Sequence, residues 1–303
     1  MNHHKTAPDR SATFAFWLFV APSLLGLTLF TFIPIVWGFL LSLSNAQNTI
    51  HPGHFVGLAN YTDILTDEPF LRSMLTILIF AVFIVPLTFA VSLGLALLMH
   101  KIGFGSPFFR TVFFIPSAVS FVVASLIWKV SIFTGLSYGF ANRVIGLFGI
   151  DPIIWIGTAD PPWYWLVIVT VRLWLQVGFF MIIFLAALQE IPGSMYEAAS
   201  VDGADGGWRV FWHITLPQLR NTSISVMLLC FIAAFQAFDE FYNIIGATGA
   251  NATLARPPLV YLYNIALGDQ DFGRGTAGAF ILTAVILTIT LIQGKLFGFG
   301  EAE

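Results

Sequence analysis

The chain has 303 residues, of which 57% are hydrophobic, 16% aromatic and only 10% charged, and its mean hydropathy is +0.85. A soluble domain carries about 25% charged residues, so this deficit excludes an ordinary water-soluble globule and leaves a membrane protein. The net charge of −3 offers no basic face to a phosphate backbone, which excludes nucleic acid as a partner.

A helix crossing the bilayer core needs about 20 predominantly apolar residues. Six stretches meet that length, at about 14–44, 73–100, 108–131, 163–188, 221–247 and 277–299, and they predict an all-α membrane protein built as one domain without internal repeats. The polar tail ahead of the first, with His3 and His4, lacks metal-ligand spacing, and no such spacing occurs elsewhere. The first apolar run is ~30 residues long, longer than the apolar core of a cleavable leader, and is expected to persist as a span. Pro22 and Pro34 interrupt the first span and Pro86 the second, predicting kinks of the kind that neighbouring groups accommodate within membranes. The single cysteine, Cys230, lies in an apolar run and reads as a small core residue that can form no intrachain disulfide.

Six spans place both termini on one side. With that side cytoplasmic, the inner segments carry seven cations (Lys5, Arg10, Lys101, Arg110, Arg209, Arg220, Lys295) against five outside (Arg72, Lys129, Arg143, Arg256, Arg274), with Arg172 inside a span. The sign agrees with the positive-inside rule. The outer connections 45–72, 132–162 and 248–276 are long, and 151–163 (DPIIWIGTADPPW) has the Pro and Trp content of an interfacial loop with aromatic anchors. Inside, 101–107 is short and 189–220 is long.

Segment 189–220 reads QEIPGSMYEAASVDGADGGWRVFWHITLPQLR. Pro192 and Gly193 end the fourth span, and Ser194 with Glu197 three residues on has the spacing of a capping box. Ala198, Ala199 and Val201 give the short helix a small-residue face, and Gly203, Gly206 and Gly207 end it. A second amphipathic stretch follows with Trp208, Phe211, Trp212 and Ile214, before Leu216 and Pro217 turn the chain into the fifth span. Two readings stand: a helix pair resting on headgroups, or a rigid knob shaped for a groove on a partner.

The run Glu197-Ala198-Ala199, then Asp202-Gly203-Ala204, then Ile214-Thr215-Leu216-Pro217 closely resembles the EAA motif of permease subunits in binding-protein-dependent ABC importers. Ten residues separate Gly203 from Ile214, one more than in the family's usual pattern, and the extra residue falls most naturally at Gly206–Gly207. FVGLANYTDIL (55–65), VGFFMIIFLAALQEIP (177–192) and FQAFDEFYNIIGATG (235–249) also look like segments of carbohydrate-uptake permeases. The resemblance implies an ABC importer permease fold and a multi-pass protein of the bacterial inner membrane with both termini cytoplasmic. It also implies Glu197, Ala198, Ala199, Asp202, Gly203, Ala204, Ile214, Leu216 and Pro217 as the coupling surface. The implied partners are a second permease subunit in a heterodimer, two copies of a nucleotide-binding ATPase and an extracytoplasmic substrate-binding protein, besides the lipid around the spans. No cofactor is expected on this chain: ATP and Mg would sit on the partner ATPase, and the sequence has no GxxxxGK[ST] phosphate loop of its own.

Polar residues inside spans are candidate pathway residues. In the fifth span these are Gln236, Asp239, Glu240 and Asn243, of which 236, 239 and 243 have the spacing of one helix face. In the fourth, Arg172 and Gln176 are one turn apart, with Phe180 continuing the stripe. Helical rise puts Arg172 ~5 Å and Asp239 ~8 Å from the midpoints of their spans, both toward the outside. A lone charge at the bilayer centre costs at least about 2.5–3.5 kcal/mol on insertion scales, so the two are predicted to pair. That pair is either a lock between two helices or part of a substrate site, where Arg172 would hold a phosphate or carboxylate. Trp174, Phe235, Phe238 and Tyr242 are candidate stacking platforms for sugar rings.

The leading function is ATP-driven import of a mono- to oligosaccharide, with no enzyme activity in this chain. Import of a glycerophosphodiester or other phosphorylated polyol by the same machinery is the alternative that Arg172 raises. An ion-coupled secondary transporter and a non-transporting scaffold or sensor are readings of other classes. The first gives the 189–220 loop no role and lacks the paired repeats common in secondary transporters, and the second leaves the polar face of the fifth span unexplained.

Overall fold

The computed structural model describes residues 10–102, 105–204, 207–246 and 255–296. Among these the chain is helical, with only two isolated β-bridges, Ser44 with Phe55 and Gln47 with Asp271. Helix α1 (Arg10–Leu27) passes through a π-helical turn into α2 (Ile33–Ser42), and α3 (Ala59–Thr66) precedes the long α4 (Glu68–Lys101). Next come α5 (Ser106–Phe114), a 3-10 turn (Ile115–Ala118), α6 (Phe121–Ile127) with a π turn (Trp128–Ile132), α7 (Phe140–Gly146) and α8 (Tyr164–Glu190). The loop after α8 holds α9 (Gly193–Val201), α10 (Trp208–Val210), a π turn (Phe211–Thr215) and α11 (Leu216–Gln218). Finally α12 (Arg220–Phe235), α13 (Asp239–Ile244), α14 (Pro258–Tyr263) and α15 (Phe272–Leu296) complete the chain.

Five helical stretches are long and apolar enough to cross a membrane, and the bent pair α5–α6 makes a sixth. That pair corrects the third predicted span, 108–131, which is no straight helix: its halves meet at 95°. Pro116 has no N–H to return to Val112, the turn around it tightens, and Val119 and Ser120 are extended (ψ 139° and 134°). Helix α1 runs on through Pro22 and α4 through Pro86, whereas ahead of Pro34 the first span leaves the α-helix for the π turn Thr28–Phe32, and Pro34 sits in the first turn of α2. The sixth span ends within the described residues at Leu296, and predicted positions 297–299 lie outside them.

The chain folds as two compact units. The first comprises residues 1–66 and 265–281. Its span Phe14–Ser42 leaves all but 6% of its most apolar window uncovered, so Phe19 and Phe30 project outward in the manner of lipid-facing side chains. Its polar end is stapled by buried Asn60, whose Nδ2 donates to the carbonyls of Ser42 (2.9 Å) and Ser44 (3.0 Å).

The second unit comprises 67–264 and 282–303, and its axis is α4 packed on α8. A stripe at helical spacing on α4 (Phe70, Ile77, Phe80, Ile84, Thr88, Ser92) is buried. It meets a matching stripe on α8, and Ser92 Oγ crosses between them to Val177 O (3.1 Å). Gly178 lets α5 lie against α8, since a Cβ there would stand 1.8 Å from the Phe113 carbonyl oxygen. The 132–162 connection is pinned rather than draped on headgroups. Asn142 bonds Thr134 O, Leu136 O, Ile153 and Trp155 Nε1, so the predicted anchor Trp155 is buried against Phe133 and Trp163.

Candidate functional site

The fifth span is two helices rather than one. α12 stops at Phe235, the Gln236 N–H turns back to the carbonyls of Ile232 and Ala234, and Phe238 (φ −137°, ψ −59°) is non-helical before α13 begins at Asp239. Gln236 therefore does not share a face with Asp239 and Asn243, as their spacing predicted; Asn243 Nδ2 still reaches the Asp239 carbonyl (2.7 Å). The predicted end of this span, residue 247, lies outside the described residues. A helix broken inside a membrane strands carbonyl oxygens, each costly to leave unbonded. Here the Ala237 N–H bonds Ala234 O (3.1 Å), which deprives Ala233 O of its helical donor.

Arg172 on α8 supplies the donor. Its Nη2 bonds the Ala233 carbonyl, its Nη1 bonds Glu240 Oε1 (2.7 Å), and its Nε bonds Gln176 Oε1 one turn along α8 (2.9 Å). The guanidinium also lies over the Phe121 ring at 5.1 Å, on the first residue after the bend in the third span. The Arg172 and Glu240 side chains are 6% and 1% exposed. The predicted partner Asp239 is thus corrected to Glu240. The non-helical step at Phe238 reorients the start of α13 so that Glu240 points inward and Asp239 is half-buried. Among the described residues the Asp239 carboxylate has no hydrogen-bond or ion-pair partner. The charges also suit the backbone: Arg172 sits at the carbonyl end of α12 and Glu240 in the first turn of α13.

A second cation completes the arrangement. Lys129, in the π turn after α6, donates from Nζ to the Asn243 carbonyl (2.9 Å) in the last turn of α13. Trp128 beside it donates to Thr170 Oγ1 (3.1 Å) and packs on Trp174 at 5.0 Å, so this candidate platform already faces one ring while remaining exposed on another side. Tyr242 stacks on Phe238 (5.1 Å, 20°) and meets Tyr263 edge-on (5.4 Å). Phe180 and Phe235 are buried, whereas Gln236 is exposed and Tyr242 and Asn243 are half-buried. Phe121, Lys129 and Tyr263 escaped the sequence reading. The signal for the first two was Pro116 with Ser117 and Ser120, a helix-breaking cluster that swings them inward; Tyr263 carried none.

In the loop 189–220, α9 begins at Gly193 with Pro192 as its N-cap and no side-chain cap bond. The predicted Ser194–Glu197 capping box is therefore corrected: Ser194 already lies inside the first turn, and Glu197 is left exposed. The far end forms a Schellman motif. Gly203 N–H bonds Ser200 O (3.2 Å), Ala204 N–H bonds Ala199 O (2.9 Å), and Gly203 takes φ +82°, which strains any residue with a Cβ. Of the predicted coupling residues, Glu197, Ala198, Asp202 and Pro217 are exposed, Ala204, Ile214 and Leu216 half-buried, and Ala199 buried. Gly206, half of the expected insertion point, lies outside the described residues; Gly207 has φ +77°. The helical run from Trp208 to Gln218 passes through a π turn ahead of Pro217, and Tyr196 Oη lies 3.3 Å from Thr215 Oγ1, joining its two arms.

The helical spans define a multi-pass membrane protein. The chain belongs to the family described as the binding-protein-dependent transport system inner membrane component, whose model matches residues 70–297. It is therefore a transport subunit and not an enzyme, with ATP used by a partner subunit. It is 32% identical over 279 residues to the alpha-glucoside transport system permease protein AglF of Rhizobium meliloti, covering 91% of this chain and 80% of that one. To the sn-glycerol-3-phosphate transport system permease protein UgpA of Agrobacterium fabrum it is 33% identical over 282 residues, covering 91% and 92%. A solved bacterial ABC transporter involved in import of the acidic polysaccharide alginate contains a chain of the same fold, with TM-score 0.82, 20% identity and coverage of 96% and 98%.

Proposed function

We propose that this chain carries a neutral mono- to oligosaccharide inward across the bacterial inner membrane, as one half of a heterodimeric permease driven by two ATPase subunits. An extracytoplasmic binding protein delivers the sugar, both termini are cytoplasmic, and the loop 197–217 seats in the ATPase. ATP-driven closure of the ATPase pair moves that loop and tips the spans between outward- and inward-facing states. Along the pathway, Gln236, Asp239, Tyr242 and Asn243 meet the sugar, with Trp174 at its margin; Arg172, Gln176 and Glu240 hold the pathway in shape.

The single observation that favours a neutral solute is the closed pairing of Arg172. Each of its three guanidinium nitrogens already bonds within the protein, Glu240 offsets its charge and its side chain is 6% exposed, so a solute phosphate would have to displace a buried partner rather than meet a free cation. The competing reading, a glycerophosphodiester or phosphorylated polyol, draws support from the 33% identity to UgpA.

Uptake by the reconstituted complex, supplied with binding protein, separates these readings. Transport is expected with ATP and not with a proton gradient alone, and glucosides are expected to compete where glycerol phosphates do not. Uptake without ATP would overturn the importer reading, and competition by glycerol phosphates alone would overturn the neutral solute.

A further inference from the structure

Where α4 and α8 end beside the docking loop there is a cavity of about 500 Å³. Ligand pockets run about 300–1,000 Å³, so this is space for a bound molecule rather than a packing flaw. Its walls are apolar, formed by Leu97, Leu188, Val210 and Phe211. Its only basic lining residues among those described are His100 and Lys101, both exposed in the last turn of α4, and no carboxylate lines it.

That combination selects an occupant with an apolar body and an anionic head. A small soluble anion would satisfy Lys101 and the His100 ring N–H and leave the walls bare. A zwitterionic lipid would cover the walls and bring no net charge to Lys101. A cation at the end of a span stands at headgroup depth, where it attracts anionic lipid. We propose that this cavity is a site for an anionic phospholipid, its phosphate on His100 and Lys101 and an acyl chain along Leu97, Leu188 and Phe211.

Both arms of the docking loop line the cavity: Tyr196 comes from α9, and Trp208, Phe211 and Thr215 from the stretch that follows. A bound lipid therefore braces that loop against the ends of α4 and α8. This consequence rests on the loop docking an ATPase; the binding site itself does not.

Two readouts on the whole importer separate the claims. After mild detergent extraction, native mass spectrometry is expected to find phosphatidylglycerol retained by the wild type and lost from His100→Gln/Lys101→Gln and from the cavity-filling Leu97→Trp. In phosphatidylcholine nanodiscs, adding phosphatidylglycerol is expected to raise solute-stimulated ATP hydrolysis severalfold in the wild type and not in the double variant. Inorganic phosphate in its place is expected to do nothing. No retained lipid in the wild type, equal retention by all three proteins, or full stimulation by inorganic phosphate would overturn the site. Retention without stimulation would overturn its bracing role. Glu197→Lys is expected to keep the lipid and lose coupling; if it couples normally, the docking reading fails while the lipid result stands.

Discussion

Arg172→Ala removes the donor to Ala233, the partner of Glu240 and the cation over Phe121 in one step. Leaving one member of a buried ion pair unpaired costs about 3–5 kcal/mol, and an orphaned buried carbonyl about 1–3 kcal/mol. Against a typical total of about 5–15 kcal/mol, the single variant is expected to lose most of its stability, and Glu240→Ala should lose a similar amount. Replacing both, as Arg172→Met/Glu240→Gln, removes the buried charges together and should recover most of the pair's share, because the pair's desolvation cost disappears with it. The assay is a double-mutant cycle on denaturant unfolding of the purified complex in bicelles, with sugar uptake measured in parallel. Additive losses would refute the lock. A double variant that folds normally yet moves no neutral sugar would show instead that Arg172 touches the solute.

Gly203→Ala places a Cβ at φ +82°; it should destabilise α9's end by about 1 kcal/mol and lower ATP-coupled uptake with membrane insertion unchanged, read by uptake against expression level. Gly178→Ala puts a methyl 1.8 Å from the Phe113 carbonyl oxygen, and overpacking of about 1–3 kcal/mol or more should appear as lost monodisperse protein in size-exclusion chromatography. Lys129→Met frees the Asn243 carbonyl and should cost about 1 kcal/mol at the end of α13, seen as faster hydrogen exchange across 239–245 with other spans unchanged. Asp239→Asn breaks no side-chain hydrogen bond or ion pair among the described residues, so it should leave the unfolding midpoint in place and weaken uptake; a shifted midpoint with normal uptake would reassign it to structure.

Much of this was legible because hydropathy reports a chain's solvent directly. Long apolar runs located five spans and the ends of the sixth, and Gly203 marked the end of α9, since a Schellman turn favours glycine wherever it occurs. The helix breaks were less legible. Pro22 and Pro86 lie within continuous helices while Pro116 makes a break, because a proline ends a helix only where the freed carbonyl and the next residues find other partners. The pairing of Arg172 was half legible. Its depth demanded a carboxylate from the fifth span, but Asp239 and Glu240 are neighbours, and only the geometry at Phe238 decides which turns inward. Continuous helical numbering chose the wrong one.

The two breaks and the buried charges account for one another. An unbroken fifth span would leave no free Ala233 carbonyl, and Arg172 would then need a second anion or pull water into the bilayer. A straight third span would carry Phe121 and Lys129 away from α13, leaving the Arg172 guanidinium without its aromatic face and the Asn243 carbonyl without its donor. Each cation ends a half-helix at its carbonyl end, and Glu240 starts one at its amide end, so the charges lie where the backbone dipoles favour them. α12 is packed on α4 and α13 on α6, so the stretch 236–238 between them is where one half-helix can turn against the other without stripping either interface. In the proposed import cycle that freedom serves the opening and closing of the spans, and a continuous helix would not provide it.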